Sequence, residues 1–347
     1  MAPPTVPPPA MKYFWGDSPE PDAYYASLGL RHTESYYQSP CGRIFTHSYH
    51  PVSAAHDGDV KGAVFMTHGY CNDSSWLFQT VAISFAQWGY AVFCADLLGH
   101  GRSDGIHGYV GDMESVARAS LSFFLSVRKG PVYASLPAFL LGESMGGAAT
   151  LLMYLRSPPD AGWTGLIFAA PLLLIPDELY PSRVRLFLYG LLLGLADTWA
   201  VLPDKRIGAK FKPKSNRDPE KMKVIASNPR RYNGAARVGT MRELARVTEL
   251  LRESFGEVTA PFLVMHGTDD VVTAPEGSKM LYERAASEDK SLILYEGMHH
   301  SLLQGETDEN RDRVFADMRA WIDERVRRYS AAVPAANDDT KEVTMAA

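Results

Sequence analysis

Short apolar runs alternate with helical patterns through the middle of this chain, and that alternation constrains the fold more than any other feature. The runs Ala63–Thr67, Tyr90–Ala95, Ala138–Leu141, Gly165–Ala170, Pro261–Met265 and Ser291–Tyr295 are short and bounded by Gly, Pro or Asp. They are also partly β-branched or aromatic, which is the pattern of buried strands. Helical spacing falls between them, at Trp76–Trp88, Asp112–Val127, Met145–Arg156, Pro275–Ala286 and Asp308–Arg328. Strands separated by helices of this length cross over in parallel, so the chain reads as α/β, a mostly parallel sheet covered by helices. Gly42–His50 alternates more strictly and is expected as an antiparallel edge strand.

The two ends read differently. Residues 1–16 open with five prolines in Met1–Ala10 and no Lys or Arg there, so they predict a disordered arm and not a secretory signal. Residues 331–347 predict a disordered tail, leaving 17–330 as one domain. Within it, no strand pattern is found from Pro171 to about Met241, which predicts a helical cap inserted after a central strand, at about 171–238. The cap holds the apolar stretch Leu186–Leu202, interrupted by Asp197 and two glycines and too short for a confident span. A basic run follows, with eight Lys or Arg against two acids between Lys205 and Lys223. The net charge of −5 gives no reason to expect nucleic acid as a partner, and three cysteines without a C-x-x-C pair fit a reducing compartment. The expected address is cytoplasmic, with peripheral membrane contact through the cap as a further expectation.

Chemistry is concentrated in Gly142-Glu143-Ser144-Met145-Gly146, directly after the run ending at Leu141. This is G-x-S-x-G between a strand and a helix, where glycines two residues either side of the serine relieve the crowding of a sharp turn. A serine hydroxyl needs a base, and the base needs an orienting acid. His266-Gly267-Thr268-Asp269-Asp270 offers Asp270 as the acid, with Asp269 as rival. Glu296-Gly297-Met298-His299-His300 offers His300 as the base, with His299 as a surface or packing residue. The order Ser, Asp, His is that of an α/β-hydrolase. Backbone N–H groups of Met145 and Tyr70 are the candidate oxyanion donors, Tyr70 lying behind Ala63–Thr67 in His68-Gly69-Tyr70. The Asp96–Gly105 loop lacks a P-loop lysine and is read as structural, and no metal-binding spacing is present.

The chain resembles the monoacylglycerol-lipase-like α/β-hydrolases from about Tyr36 to Tyr329. The segments that carry this are AVFCADLLGHGRSDG (Ala91–Gly105), LGESMGGAATLLMY (Leu141–Tyr154), GLLLGLADTWA (Gly190–Ala200), ASNPRRY (Ala226–Tyr232), VGTMREL (Val238–Leu244) and YEGMHHSLLQGE (Tyr295–Glu306). The resemblance implies Ser144, Asp270 and His300 as triad, Tyr70 and Met145 as oxyanion donors, a mobile cap over an apolar pocket, and no cofactor or metal. Animal monoglyceride lipases carry histidine where Glu143 stands and a small residue at Tyr70, and they differ at Asn72 and Trp76. The chain is more similar to plant members of the family, and that resemblance implies a caffeoyl ester as substrate, with monoacylglycerol or lysophospholipid as the alternative and a non-catalytic receptor as the rival from another class. Trp76, Tyr189, Leu192 and Trp199 are the expected substrate contacts, the aromatics among them stacking a flat ring.

Overall fold

A computed structural model describes residues 13–16, 19–54, 56, 59–176, 197–198 and 217–332. Eight strands form one sheet: β1 (Leu30–Ser39), β2 (Gly42–Pro51), β3 (Ala63–Thr67), β4 (Ala91–Ala95), β5 (Ala138–Glu143), β6 (Gly165–Ala169), β7 (Phe262–Gly267) and β8 (Lys290–Tyr295). Their spatial order is β1-β2-β4-β3-β5-β6-β7-β8. β2 is antiparallel to both β1 and β4, and every pairing from β4 to β8 is parallel.

The helices are α1 (Pro21–Ser27), α2 (Gln79–Gln87), α3 (Met113–Arg128), α4 (Met145–Arg156), α5 (Pro219–Ala226), α6 (Val238–Glu253), α7 (Pro275–Arg284) and α8 (Asp308–Ala332). Central strands alternate their side chains between two cores. Ala138 and Leu140 of β5 join Phe65 of β3 under α3, α4 and α6, whereas Phe139 and Leu141 join Val64 and Met66 under α2 and α8. Both faces are dry, which is why these strands read as unbroken apolar runs. The chain leaves β3 towards β4 on one side and then returns to place β5 on the other. This reversal opens a crevice at the carboxyl ends of β3 and β5, where open parallel sheets hold their ligands.

Three expectations change. Gly42–His50 is a strand, but β1 lies outside it and forms the edge. β1 (LRHTESYYQS) buries only its end residues Leu30 and Ser39, so it carries no apolar run to detect. Tyr13–Gly16, expected within the disordered arm, packs on the body: Trp15 stacks on Tyr24 with ring centroids 3.8 Å apart, and Phe14 meets Tyr24 and Trp76 edge-on. Three consecutive aromatics bury enough surface to offset the ordering of a short segment. The last helix also runs to Ala332, past its expected end at Arg328 and the expected domain end at 330. Much of the expected cap, including Tyr189, Leu192 and Trp199, lies outside the described residues.

Candidate active site

Ser144 stands between β5 and α4 with φ 56° and ψ −124°, a left-handed-side conformation that non-glycine residues rarely adopt. Its backbone is pinned from both directions. Its N–H donates to the Ala169 carbonyl (3.0 Å), and its own carbonyl accepts from Gly147 and Leu172 (2.9 Å each). The flanking glycines have a steric cause: a Cβ on Gly142 would strike the Gly146 carbonyl and Thr150, and one on Gly146 would strike the carbonyls of Thr67 and His68. The turn thus presses α4 onto the end of β3.

That turn holds the serine hydroxyl within 2.9 Å of His300 Nε2. His300 Nδ1 lies 2.8 Å from Asp270 Oδ2. With Nδ1–H donating to the carboxylate, Nε2 keeps a lone pair for the Ser144 hydroxyl proton, as general-base activation requires. The imidazole is 14% exposed. Burial disfavours its charge, but the Asp270 carboxylate outweighs that and Glu143 adds to it, so its pKa is raised above the usual 6.5.

Asp270 is buried in the loop after β7. Burial alone would raise its pKa, yet His300 and His266 together hold it well below the usual carboxylate range. Its Oδ1 accepts from the N–H groups of Val272 (2.7 Å) and Thr273 (3.1 Å), and its Oδ2 takes the Thr273 hydroxyl (2.8 Å) and His266 Nε2 (3.0 Å). Asp269 is exposed, and its backbone N–H bonds the Met298 carbonyl. The next-door histidine, His299, is half-buried, and its N–H donates to Glu306 (2.7 Å).

The oxyanion candidates border the same serine. Met145 opens α4, so its N–H is one of the donors an α-helix leaves without an internal partner. A Cβ on Gly69 would lie 3.2 Å from Ser144 Cβ and 3.8 Å from its Oγ, which puts the Gly69-Tyr70 backbone against the nucleophile. The Tyr70 hydroxyl is tied to the Gly108 carbonyl at 2.8 Å. His68 is buried with its ring bonded to the Leu97 N–H (2.9 Å) and the Gly69 carbonyl (2.8 Å), a loop-holding role. Burial pushes the Cys71 thiol up to about 11 against the pull of the Arg231 guanidinium, so little thiolate forms near neutrality.

The Asp96–Gly105 loop is structural, as read from the sequence. Buried Asp96 gathers Ser74 N–H (2.8 Å), the Ser74 hydroxyl (2.5 Å) and Arg102 N–H (2.9 Å), and so ties the β3 and β4 loops together.

Trp76 departs from its expected role as a stacking platform. It is 7% exposed, and its indole N–H is committed to the Val224 carbonyl of α5 at 2.6 Å. The small cavity it lines is shared with Tyr13, Phe14, His47 and Arg230, and none of Ser144, Asp270 or His300. A bulky aromatic near a catalytic loop in sequence is more often packing, and here the N-terminal aromatics claim it.

Sequence reasoning missed Thr273 and the supporting role of His266. The spacing of His266 and Asp270 was visible, but a hydroxyl three residues past the acid has no signature of its own. Gln304 and Asn72 were also missed: Gln304 Nε2 donates to Glu143 Oε2 (2.6 Å) and its Oε1 accepts from Asn72 (3.3 Å). Among the described residues, His32, Glu34 and His47 at the β1–β2 edge could converge on a metal ion. Arg102 already forks onto both Glu34 oxygens (3.0 and 3.1 Å) and approaches His47 Nε2 at 3.3 Å, so a cation there would compete with a guanidinium.

The serine aminopeptidase S33 family matches residues 58–308, a span that contains the whole hydrogen-bond chain just described. The chain belongs to that family of α/β-hydrolases. It is 57% identical to the caffeoylshikimate esterase of Arabidopsis thaliana over 318 residues, covering 92% of this chain and 93% of that one. Human monoglyceride lipase is 29% identical over 278 residues, covering 80% and 87%. Among solved structures, a soluble variant of Saccharomyces cerevisiae monoglyceride lipase with a substrate analogue superposes with a TM-score of 0.69 at 21% identity. It covers 85% of this chain and 95% of its own, and that likeness speaks to the fold.

Proposed function

We propose that this protein is a serine esterase that hydrolyses caffeoyl shikimate to caffeate and shikimate. The observation that carries the substrate is the 57% identity to the plant caffeoylshikimate esterase over nearly both chains. The chemistry follows from the site. Ser144 Oγ attacks the ester carbonyl while His300 Nε2 takes its proton, and the oxyanion forms against the N–H groups of Met145 and Tyr70. His300 then gives the proton to the leaving shikimate oxygen. Water repeats the sequence on the caffeoyl-enzyme and frees the acid. Each oxyanion donor is worth about 3 kcal/mol on the barrier.

Shikimate brings a carboxylate, and a cation near the oxyanion loop would meet it. Arg231 suits that task, being half-buried and close enough to Cys71 to act on its thiol. The described end of the basic run does not: Arg217, Lys221 and Lys223 are held by Gly297, by Glu306 and Asp308, and by Glu220. Monoacylglycerol hydrolysis is the second reading, supported by the human lipase relative.

A fluorophosphonate probe should label the intact protein and fail on Ser144→Ala, whose turnover should fall by ~10⁴ or more. A panel of caffeoyl shikimate, a monoacylglycerol and a lysophospholipid decides the substrate. Caffeoyl shikimate should give the highest kcat/KM, and a monoacylglycerol turned over tenfold more efficiently would reassign it.

A further inference from the structure

One buried carboxyl beside the nucleophile has no part in the proton path just described. Glu143 closes β5, directly before Ser144, and is 5% exposed. Its Oε2 accepts from Gln304 Nε2 at 2.6 Å, while its Oε1 is buried with no hydrogen-bond partner among the described residues. Gln304 lies four residues after His300, and its own Oε1 accepts from Asn72, three residues after Gly69. Gln304 and Asn72 are both buried. The Glu143 carboxyl therefore fastens together the three loops that carry the nucleophile, the base and the Tyr70 donor. A core designed only for packing would place an apolar group here, since an orphaned carboxyl oxygen costs free energy.

We propose that Glu143 is a positioning residue whose buried carboxylate, clamped by Gln304, bears on the His300 imidazole and adjusts, on top of Asp270, the pH range in which His300 serves as base. The proposal rests on the reading of Ser144 and His300 as nucleophile and base. Ser144, the next residue along, holds its hydroxyl 2.9 Å from His300 Nε2, and His300 is the titratable group on which the Glu143 charge acts, with Asp270 bonded to the other ring nitrogen. Gln304 and Asn72 are neutral, and the strand neighbours Thr67 and Ala169, paired with Gly142 and Glu143, are uncharged. Burial raises the Glu143 pKa to about 7, with His300 and Gln304 pulling the other way. Both groups thus stand above their ordinary values, and the charge of each acts on the other. Ionised Glu143 stabilises the imidazolium that forms as Ser144 attacks, and protonated Glu143 withdraws that support. Because each group's proton weakens the other's hold on its own, the two titrate over a broader range than a single site.

The test is the pH profile of kcat/KM. In the unaltered protein the acid limb should be broader than one ionisation. Glu143→Gln keeps the shape and a Gln304 contact but carries no charge. Its limb should sharpen to one proton, its midpoint should fall by about half a pH unit or more, and its alkaline plateau should drop several-fold. Gln304→Met removes the clamp that favours the ionised form and should move the midpoint the same way. A one-proton limb in the unaltered protein, or an unmoved midpoint in either folded variant, overturns the proposal. A merely structural role would lower thermal stability and leave the midpoint in place. If the unaltered protein takes no fluorophosphonate label, it is the esterase reading that has failed.

Discussion

Ser144 holds its φ of 56° at a cost of about 1–3 kcal/mol, repaid by the backbone bonds that Ala169, Gly147 and Leu172 make to it. The strain places its hydroxyl where His300 can reach it and leaves the Met145 N–H at the head of α4, where the helix itself supplies it no partner. His300 must be neutral to act, so activity should be lost as pH falls through its raised pKa and should be full above it. Asp270 is the main cause of the raised value, against a burial that works the other way. Asp270→Asn should therefore shift the acid limb of kcat/KM to lower pH. It should also cut kcat by about 10⁴, because an amide can hold the ring in the wrong tautomer. A pH–rate profile of this variant checks both, and a limb that stays in place would mean another group sets the His300 charge. Trp76 gives the complementary lesson: its flat aromatic ring suggested a stacking platform for substrate, and its indole N–H is bound to the Val224 carbonyl.

At the scale of elements, the site depends on how closely α4 meets β3. A Cβ on Gly146 would collide with backbone carbonyls of Thr67 and His68, groups that cannot swing aside. Gly146→Ala should cost about 1–3 kcal/mol by overpacking and should lower kcat, because it separates the Met145 and Tyr70 donors. Thermal melting and initial rates on one preparation test this, and an unaffected kcat would show the two donors need not stay close. This same junction explains what the sequence made legible. The core strands and Met145–Arg156 were readable because burial on both faces leaves continuous apolar runs with glycines at their ends, and Ser144, Asp270 and His300 follow such runs. β1 was not readable, because an edge strand facing water is polar. Gln304 and Asn72 were not, because their partners are remote in sequence, and Thr273 was not, because a hydroxyl three residues past an acid does not announce which group it will meet. The expected apolar helix of the cap belongs to the same scale. We expect Leu191→Asp with Leu192→Asp to weaken liposome association and raise KM for apolar esters, and unchanged values in both would make that segment ordinary core. Among the described residues, no helix is long and apolar enough to cross a membrane.

Across the whole molecule, the sheet's order reverses between β4 and β5, and this places the Ser144 turn and the Gly69-Tyr70 loop side by side at one edge of the crevice. His300 and Asp270 arrive from the ends of β8 and β7, so four separate strand ends must keep their positions for the Ser144–His300–Asp270 hydrogen-bond chain and the Tyr70 loop beside it. The two apolar cores provide that rigidity. A further brace reaches α5, which follows the segment expected as a cap. Trp15 stacks on Tyr24, donates its indole N–H to the Pro19 carbonyl at 3.0 Å and meets Tyr25 edge-on. Phe14 leans on Trp76, and Trp76 is bonded to the Val224 carbonyl within α5. Among the described residues, the N-terminal aromatics therefore support α5 through one indole and make no contact with Ser144, His300 or Asp270. Trp15→Ala should lower stability by about 1–2 kcal/mol, from lost apolar burial and a lost ring stack. In a domain of this size that is a melting shift of only a few degrees. Turnover of a small ester such as p-nitrophenyl acetate should stay unchanged, since the Ser144–His300–Asp270 chain is anchored elsewhere. A bulky ester that must pass the cap should show a raised KM, because α5 loses its brace. Equal losses on both esters would place the arm's effect in the catalytic core, contrary to the contacts it makes.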